Sequence, residues 1–263
     1  MVKSQKAKKY YRIRKNRPIF LKKWFWLVFL SICTLSAGVY FAIFSSKFQI
    51  ENVEISGNRQ TDAQTLQSEI SGQIEKKFLS FSSKSIFLLN LGAVKDDLLN
   101  KFPQVAQANI KRQLPNKLVV EINERLPVGV WCNNPNCFLI DKNGIAYESS
   151  PPQSELLIKS KIVSKNFVLG DKVVEDQLLQ SIINIQKKLN IFEIPITEFS
   201  IMENQRLNVR TGYGWEIYFD AGGDMAWQMT KLSLLLEQEI PVEKRVELEY
   251  IDLRFSKIYY KYK

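Results

Sequence analysis

The sequence predicts an α+β fold: an N-terminal transmembrane helix, a β-α-α-β-β domain, then a C-terminal mixed β-sheet domain with packed helices. Three observations lead there. One uncharged apolar run, WFWLVFLSICTLSAGVYFAIF, extends from Trp24 to Phe44. Beyond it, blocks of alternating apolar residues and blocks of apolar residues at helical spacing follow one another. Gly, Pro and Asn stand between these blocks at turn positions.

The charge lies at one end. Residues 1–23 hold ten Lys and Arg (Lys3, Lys6, Lys8, Lys9, Arg12, Arg14, Lys15, Arg17, Lys22 and Lys23) and no acid. Removing them from the 37 basic residues leaves 27 against 27 acidic ones, so the net charge of +10 belongs to this tail. At about 1.5 Å per residue the run 24–44 reaches roughly 31 Å, enough for a bilayer core of roughly 30 Å. It exceeds the apolar region of a signal peptide and meets SSKFQ where a small-residue cleavage site would stand. An uncleaved single span is therefore expected, with the basic tail cytoplasmic and the remainder outside. A nucleic-acid role for the tail lacks a recognition motif.

The next domain is expected over 48–125. Phe48 and Ile50 alternate, the phase slips, and alternation resumes at Val53 and Ile55, which predicts one strand, Phe48–Ile55, bent by a bulge. Thr61 and Gln64 read as a capping box before a helix carrying Ala63, Leu66 and Ile70. A second helix carries Val94, Leu98 and Phe102 and stops at Pro103. Ala106, Ala108 and Ile110, then Leu118, Val120 and Ile122, mark the apolar faces of two strands joined by Leu114-Pro115-Asn116-Lys117 as a hairpin.

The region 126–263 continues in the same style. CFLIDKNGIAYE predicts strand, Asn143-Gly144 turn, strand. Leu178, Ile182, Ile185 and Leu189 predict a helix packed on a sheet. LNVRTGYGWEIYFDAGG reads as a hairpin leading to a helix with Lys231, Leu232, Leu235 and Leu236. Two strands, Glu249–Phe255 and Lys257–Tyr262, complete it.

These residues resemble a known family. The SGN after the bent strand, the Phe102-Pro103-x-Val105 junction, LPNKL at Leu114–Leu118 and the exit Glu124-Arg125-x-Pro127 are similar to the POTRA domain that opens FtsQ/DivIB bacterial division proteins. The I-D-L-R-F stretch, Ile251–Phe255, resembles that family's penultimate strand. The resemblance implies a non-enzymatic divisome scaffold at the division septum that links FtsB/FtsL-like single-span partners in support of septal wall synthesis. It implies further recruiting contacts through the span and the POTRA domain. The competing readings are an extracytoplasmic wall-active enzyme and a POTRA protein of secretion or outer-membrane assembly.

Catalytic chemistry finds no anchor in the sequence. Without His there is no Ser-His-Asp or Cys-His arrangement and no H-E-x-x-H zinc site. No Ser precedes Lys at S-x-x-K spacing, and P-loop and G-x-G-x-x-G motifs are missing. No cofactor or metal is expected, and Gly222-Gly223 reads as a turn before a helix. Cys33 lies in the apolar run. Cys132 and Cys137 flank Asn133-Asn134-Pro135-Asn136, so on a hairpin they face each other within disulfide reach; a bridge and two free thiols both remain open.

The expected partner-binding set is the last strand: Lys257, Ile258, Tyr259, Tyr260, Lys261 and Tyr262. Ile258, Tyr260 and Tyr262 alternate with Tyr259 and Lys261, and the chain stops at Lys263, so the outer edge is expected to lack a neighbour. Such an edge offers backbone donors and acceptors to an incoming strand. The family's last strands bind FtsB and FtsL, so the resemblance implies that use here.

Overall fold

The computed structural model describes residues 23–74, 76–78, 81–153, 156–161 and 167–263. The basic tail, apart from Lys23, lies outside the described residues. In chain order the elements are α1 (Lys23–Phe44), β1 (Asn52–Ser56), α2 (Ala63–Ile74), β2 (Lys76–Phe78), β3 (Phe81–Ser83), α3 (Leu91–Lys101), β4 (Val105–Gln113) and β5 (Lys117–Glu124). There follow β6 (Gly129–Asn133), β7 (Asn136–Ile140), β8 (Ala146–Ser149), β9 (Leu157–Ser160), α4 (Asp176–Ile191) and β10 (Ile196–Ile201). The last are β11 (Arg206–Thr211), β12 (Glu216–Asp220), α5 (Met225–Gln238), β13 (Leu248–Asp252) and β14 (Tyr259–Tyr262). Compactness divides the chain into two units: residues up to Val53 with Gln73–Leu89 and Arg112–Leu118, and the remainder.

In the first unit, α1 is the one helix among the described residues long and apolar enough to cross a membrane, and none of it is buried. Its last carbonyls need donors, as at any helix end. Gln49 Nε2 donates to Ile43 O at 2.9 Å, Ser83 Oγ to the same oxygen at 2.8 Å, and Ser85 Oγ to Ala42 O at 3.0 Å. This cap corrects the expected first strand. Ser46–Phe48 forms a 3-10 turn, Gln49 makes one isolated bridge to Ser85, and the strand begins only at Asn52. The phase slip is a break where the Gln49 side chain turns back to α1, rather than a bulge within one strand. Ile50, Ile74, Ile86, Leu89 and Leu118 are buried here. Arg112 donates through Nε to Ile86 O at 2.7 Å and through Nη2 to Leu89 O at 2.6 Å.

The three strands β1, β5 and β4 form a sheet in that order. Gly57 leaves β1 at φ +85°, where a Cβ would strike the Ile122 carbonyl oxygen, so the SGN turn needs its glycine. The predicted capping box is replaced by Asp62, whose Oδ2 accepts from Thr65 N–H at 2.8 Å. Asp62 is one residue nearer the helix, and the Thr61 N–H instead donates to Glu124 Oε1 at 2.8 Å. Asn90 caps α3, and Val94 and Leu98 are buried as expected. Arg125, just past β5, donates to Pro103 O at 2.8 Å and pairs with Asp141 at 2.5 Å, their side chains 12% and 5% exposed. Asp141 also accepts the N–H groups of Asn143 and Ile145, fixing the turn that Asn143-Gly144 marks.

Among the described residues nine strands make the large sheet, in the order β14-β13-β12-β11-β10-β9-β6-β7-β8. Parallel neighbours need a crossover, and here β9/β10 are bridged by α4 and β12/β13 by α5. Leu179, Ile182, Ile185 and Leu189 of α4 share one core with Leu232, Leu235 and Leu236 of α5 and with Trp131, Phe199, Trp215, Ile217 and Ile251. Leu179 takes the inner position expected for Leu178, which is only partly buried. The opposite side of the sheet is polar: register aligns Glu198, Arg210, Glu216, Tyr250 and Lys261 in one cross-strand row and Ser200, Asn208, Tyr218, Asp252 and Tyr259 in the next.

Candidate functional site: the edge of the C-terminal sheet

β14 is an edge strand, with β13 as its sheet neighbour and no strand beyond it among the described residues. The expected set Lys257–Tyr262 is divided by the structure. Tyr259–Tyr262 form the strand, whereas Lys257 and Ile258 lie in the preceding bend, with Ile258 packed against the core. The other expected strand, Glu249–Phe255, ends three residues early at Asp252.

Side chains cause that early end. Asp252 turns on itself to accept from Arg254 Nε at 2.9 Å and Nη2 at 2.6 Å, and from Arg254 N–H at 3.2 Å. Lys231 reaches from α5 to donate to Leu253 O at 2.8 Å and Phe255 O at 2.6 Å. Leu253 and Phe255 thus give their carbonyls to α5, although the Leu253 N–H still donates to Tyr218 O at 3.0 Å. Lys231 is only 6% exposed, and burial pushes its ammonium below the usual lysine range despite attraction from Asp252. Burial alone would raise the Asp252 carboxyl, but the Arg254 hydrogen bonds outweigh it and hold the pKa low. The same contact raises Arg254.

The bend presents aromatic surface. The Arg254 guanidinium lies 5.3 Å from the Phe255 ring centre and 5.8 Å from that of Tyr218. Phe255 meets Tyr259 edge-on at 5.8 Å, and Tyr260 meets Tyr262 edge-on at 5.9 Å. Phe255 and Tyr259 are 53% and 51% exposed, too much for a pair serving only the core. Lys261 pairs with Glu249 at 2.5 Å, which raises its pKa; with both side chains solvent-exposed this contributes little to stability. A cavity of about 550 Å³ opens beside the bend between Arg206, Asp220, Arg254 and Phe255.

Backbone direction follows from alternation. Lys263 N–H donates inward to Glu247 O at 2.9 Å, so Lys261 and Tyr259 also face β13. The extra residue of the nearby bulge is in β13, between Leu248 and Tyr250, so the phase of β14 is kept. The N–H and C=O groups of Tyr260 and Tyr262 therefore point outward.

Cys132 and Cys137 are directly opposed on β6 and β7 and joined as a disulfide, with Cα atoms 4.0 Å apart. They lie on other strands than the β14 edge. The sequence reading missed Lys231, Arg254 and Phe255 as parts of this edge. The I-D-L-R-F stretch was the available signal for two of them; a single Lys on a helix face gave none.

Comparison with known proteins supplies the family. Residues 48–125 match the model of the POTRA domain, FtsQ-type, and residues 129–254 match that of the cell division protein FtsQ/DivIB C-terminal region. The chain is 27% identical over 203 residues to the cell division protein DivIB of Clostridium tetani, covering 73% of this chain and 71% of that one. It is 29% identical over 116 residues to the cell division protein FtsQ of Rickettsia bellii, covering 44% and 39%. With FtsQ of Zymomonas mobilis the figures are 32% over 107 residues, covering 41% and 31%. The matches to the two FtsQ proteins thus span well under half of their lengths. Two adjoining matches, in the order and with the strand motifs described above, place this chain in the FtsQ/DivIB family of bacterial cell division proteins.

Proposed function

We propose that the chain is a single-span membrane scaffold of the division machinery that binds FtsB/FtsL-like partners by strand addition along Tyr259–Tyr262. One observation carries the reading: the outward N–H and C=O groups of Tyr260 and Tyr262 at a sheet edge. Backbone pairing there supplies affinity, while Phe255, Tyr259 and Tyr260 supply exposed aromatic anchors. Lys257 and Ile258 serve this edge by shaping the bend into β14. The output is binding rather than catalysis, and it gathers partners that support septal wall synthesis. Residues 24–44 anchor the chain in the cytoplasmic membrane with 1–23 inside. Residues 48–125 and 126–263 act outside as POTRA and partner-binding domains, with the span and POTRA domain meeting other divisome members.

The test is a crosslinked pull-down from native membranes with the full chain and its Tyr260→Pro variant. Proline removes one outward N–H and leaves the inward pairs of Tyr259 and Lys261 in place. Recovery of small single-span division proteins by the unmodified chain, lost in the variant while far-UV dichroism is unchanged, is expected. Equal recovery by both moves the site elsewhere.

A further inference from the structure

A line of aromatic rings leads out of the apolar run. Phe41 is one turn before the end of α1, about 4.5 Å inside it at 1.5 Å per residue. Its ring meets Phe48 edge-on at 6.1 Å, and Phe48 meets Phe87 at 5.3 Å. Phe87 occupies the turn after β3 and is 47% exposed, with the buried Ile86 beside it in sequence. The turn is held at the helix end, because Ser83 and Ser85 donate to Ile43 O and Ala42 O. Lys47 and Lys84 are exposed in the same stretch, and Gln49 ties it together by accepting from Lys84 N–H at 2.6 Å.

We propose that Phe87 is a lipid-contacting residue that inserts at the membrane interface where α1 emerges, with Lys47 and Lys84 at headgroup level. This rests on reading α1 as a membrane span. An exposed Phe is unremarkable on a soluble surface, but here it continues a ring series beginning inside the span. An exposed Phe flanked by Lys buries its ring at the headgroup/acyl boundary, and the Lys side chains extend to the headgroups. The occupant is the bilayer surface itself, and the contact fixes the Ser83–Leu89 turn against lipid.

The test places nitroxide labels on the full chain in phosphatidylcholine/phosphatidylglycerol vesicles. Single cysteines replace Phe87, Lys84 or Val39 in a Cys33→Ser background with the Cys132–Cys137 bridge intact. Collision with oxygen, which concentrates in lipid, is compared with collision with a water-soluble nickel complex. Position 87 is expected to give an oxygen-to-nickel ratio several-fold above free label in buffer and below Val39, with Lys84 between 87 and buffer. A buffer-like ratio at 87 with a lipid-like Val39 overturns the proposal and leaves the span intact. A buffer-like Val39 overturns both. Shielding of 87 from both reagents means that protein covers it, and the proposal falls.

Discussion

Replacing Lys231 by Met tests how the sheet edge is held. Methionine keeps an unbranched apolar stem and removes the donor together with its charge. Two carbonyls lose a partner, at 2.8 and 2.6 Å. The bond to Phe255 O is only partly buried, whereas Leu253 is fully buried and its carbonyl is left without that donor. An unsatisfied buried carbonyl costs about 1–3 kcal/mol, and relief from burying an ammonium offsets part of the remaining loss. The net expected change is about 2 kcal/mol, or about 30-fold in a local opening equilibrium. Native-state hydrogen exchange on the full chain reads it directly: amides of 253–263 should lose about 30-fold protection while those of α4 and β10 change little. A fall of less than about threefold at 253–263, on this scale of about 1.4 kcal/mol per tenfold, would refute the reasoning. An equal fall everywhere would show that Lys231 supports the whole core instead.

Arg125→Ala strands the Asp141 carboxylate in a nearly closed site, and unfolding of the Arg125–Asp141 region should become easier by about 3 kcal/mol, measured by urea titration with region-specific exchange. Reducing the Cys132–Cys137 bridge should lower the stability of the β6–β7 hairpin by about 2 kcal/mol, seen as faster exchange confined to 129–140. The Asp252 carboxyl has a folded pKa below its unfolded value, so its contribution is complete above about pH 4 and is lost as pH falls through the folded value. Acid titration of β14 amide protection factors should show that loss, and Asp252→Asn should remove the part of it that Asp252 carries. Gly57→Ala should destabilise the β1 exit by at least about 1 kcal/mol, because a left-handed residue gains a Cβ aimed at a carbonyl oxygen; thermal melting reads it.

Local signals made much of this fold legible. The apolar run, the alternation in β4 and β5 and the Asn143-Gly144 turn each require only near neighbours, and each gives the element expected. Where a distant side chain intervened, sequence pattern misled. The apolar phase at Phe48–Ile55 could not reveal that the Gln49 amide serves a helix-end carbonyl six residues back. Thr61 and Asp62 are both good caps, and the choice between them turned on Glu124, 63 residues away in the chain, accepting the Thr61 N–H. At the candidate site, Tyr259–Tyr262 declared a strand by their alternation. The end of β13 at Asp252 did not show, because it depends on an ammonium on α5 finding carbonyls 22 and 24 residues later.

The side-chain cap on α1 bears on how the anchor could report on events across a membrane. A flexible linker transmits position but lets its two ends turn independently. Three hydrogen bonds from Gln49, Ser83 and Ser85 to the last carbonyls remove that freedom, so a twist or tilt of the helix carries Gln49 and the Ser83–Ser85 stretch with it. The anchor then works as a keyed shaft. Adding one residue within the last turn of α1 would rotate the shaft by about 100° relative to its key, a change of bearing that a tether would never register.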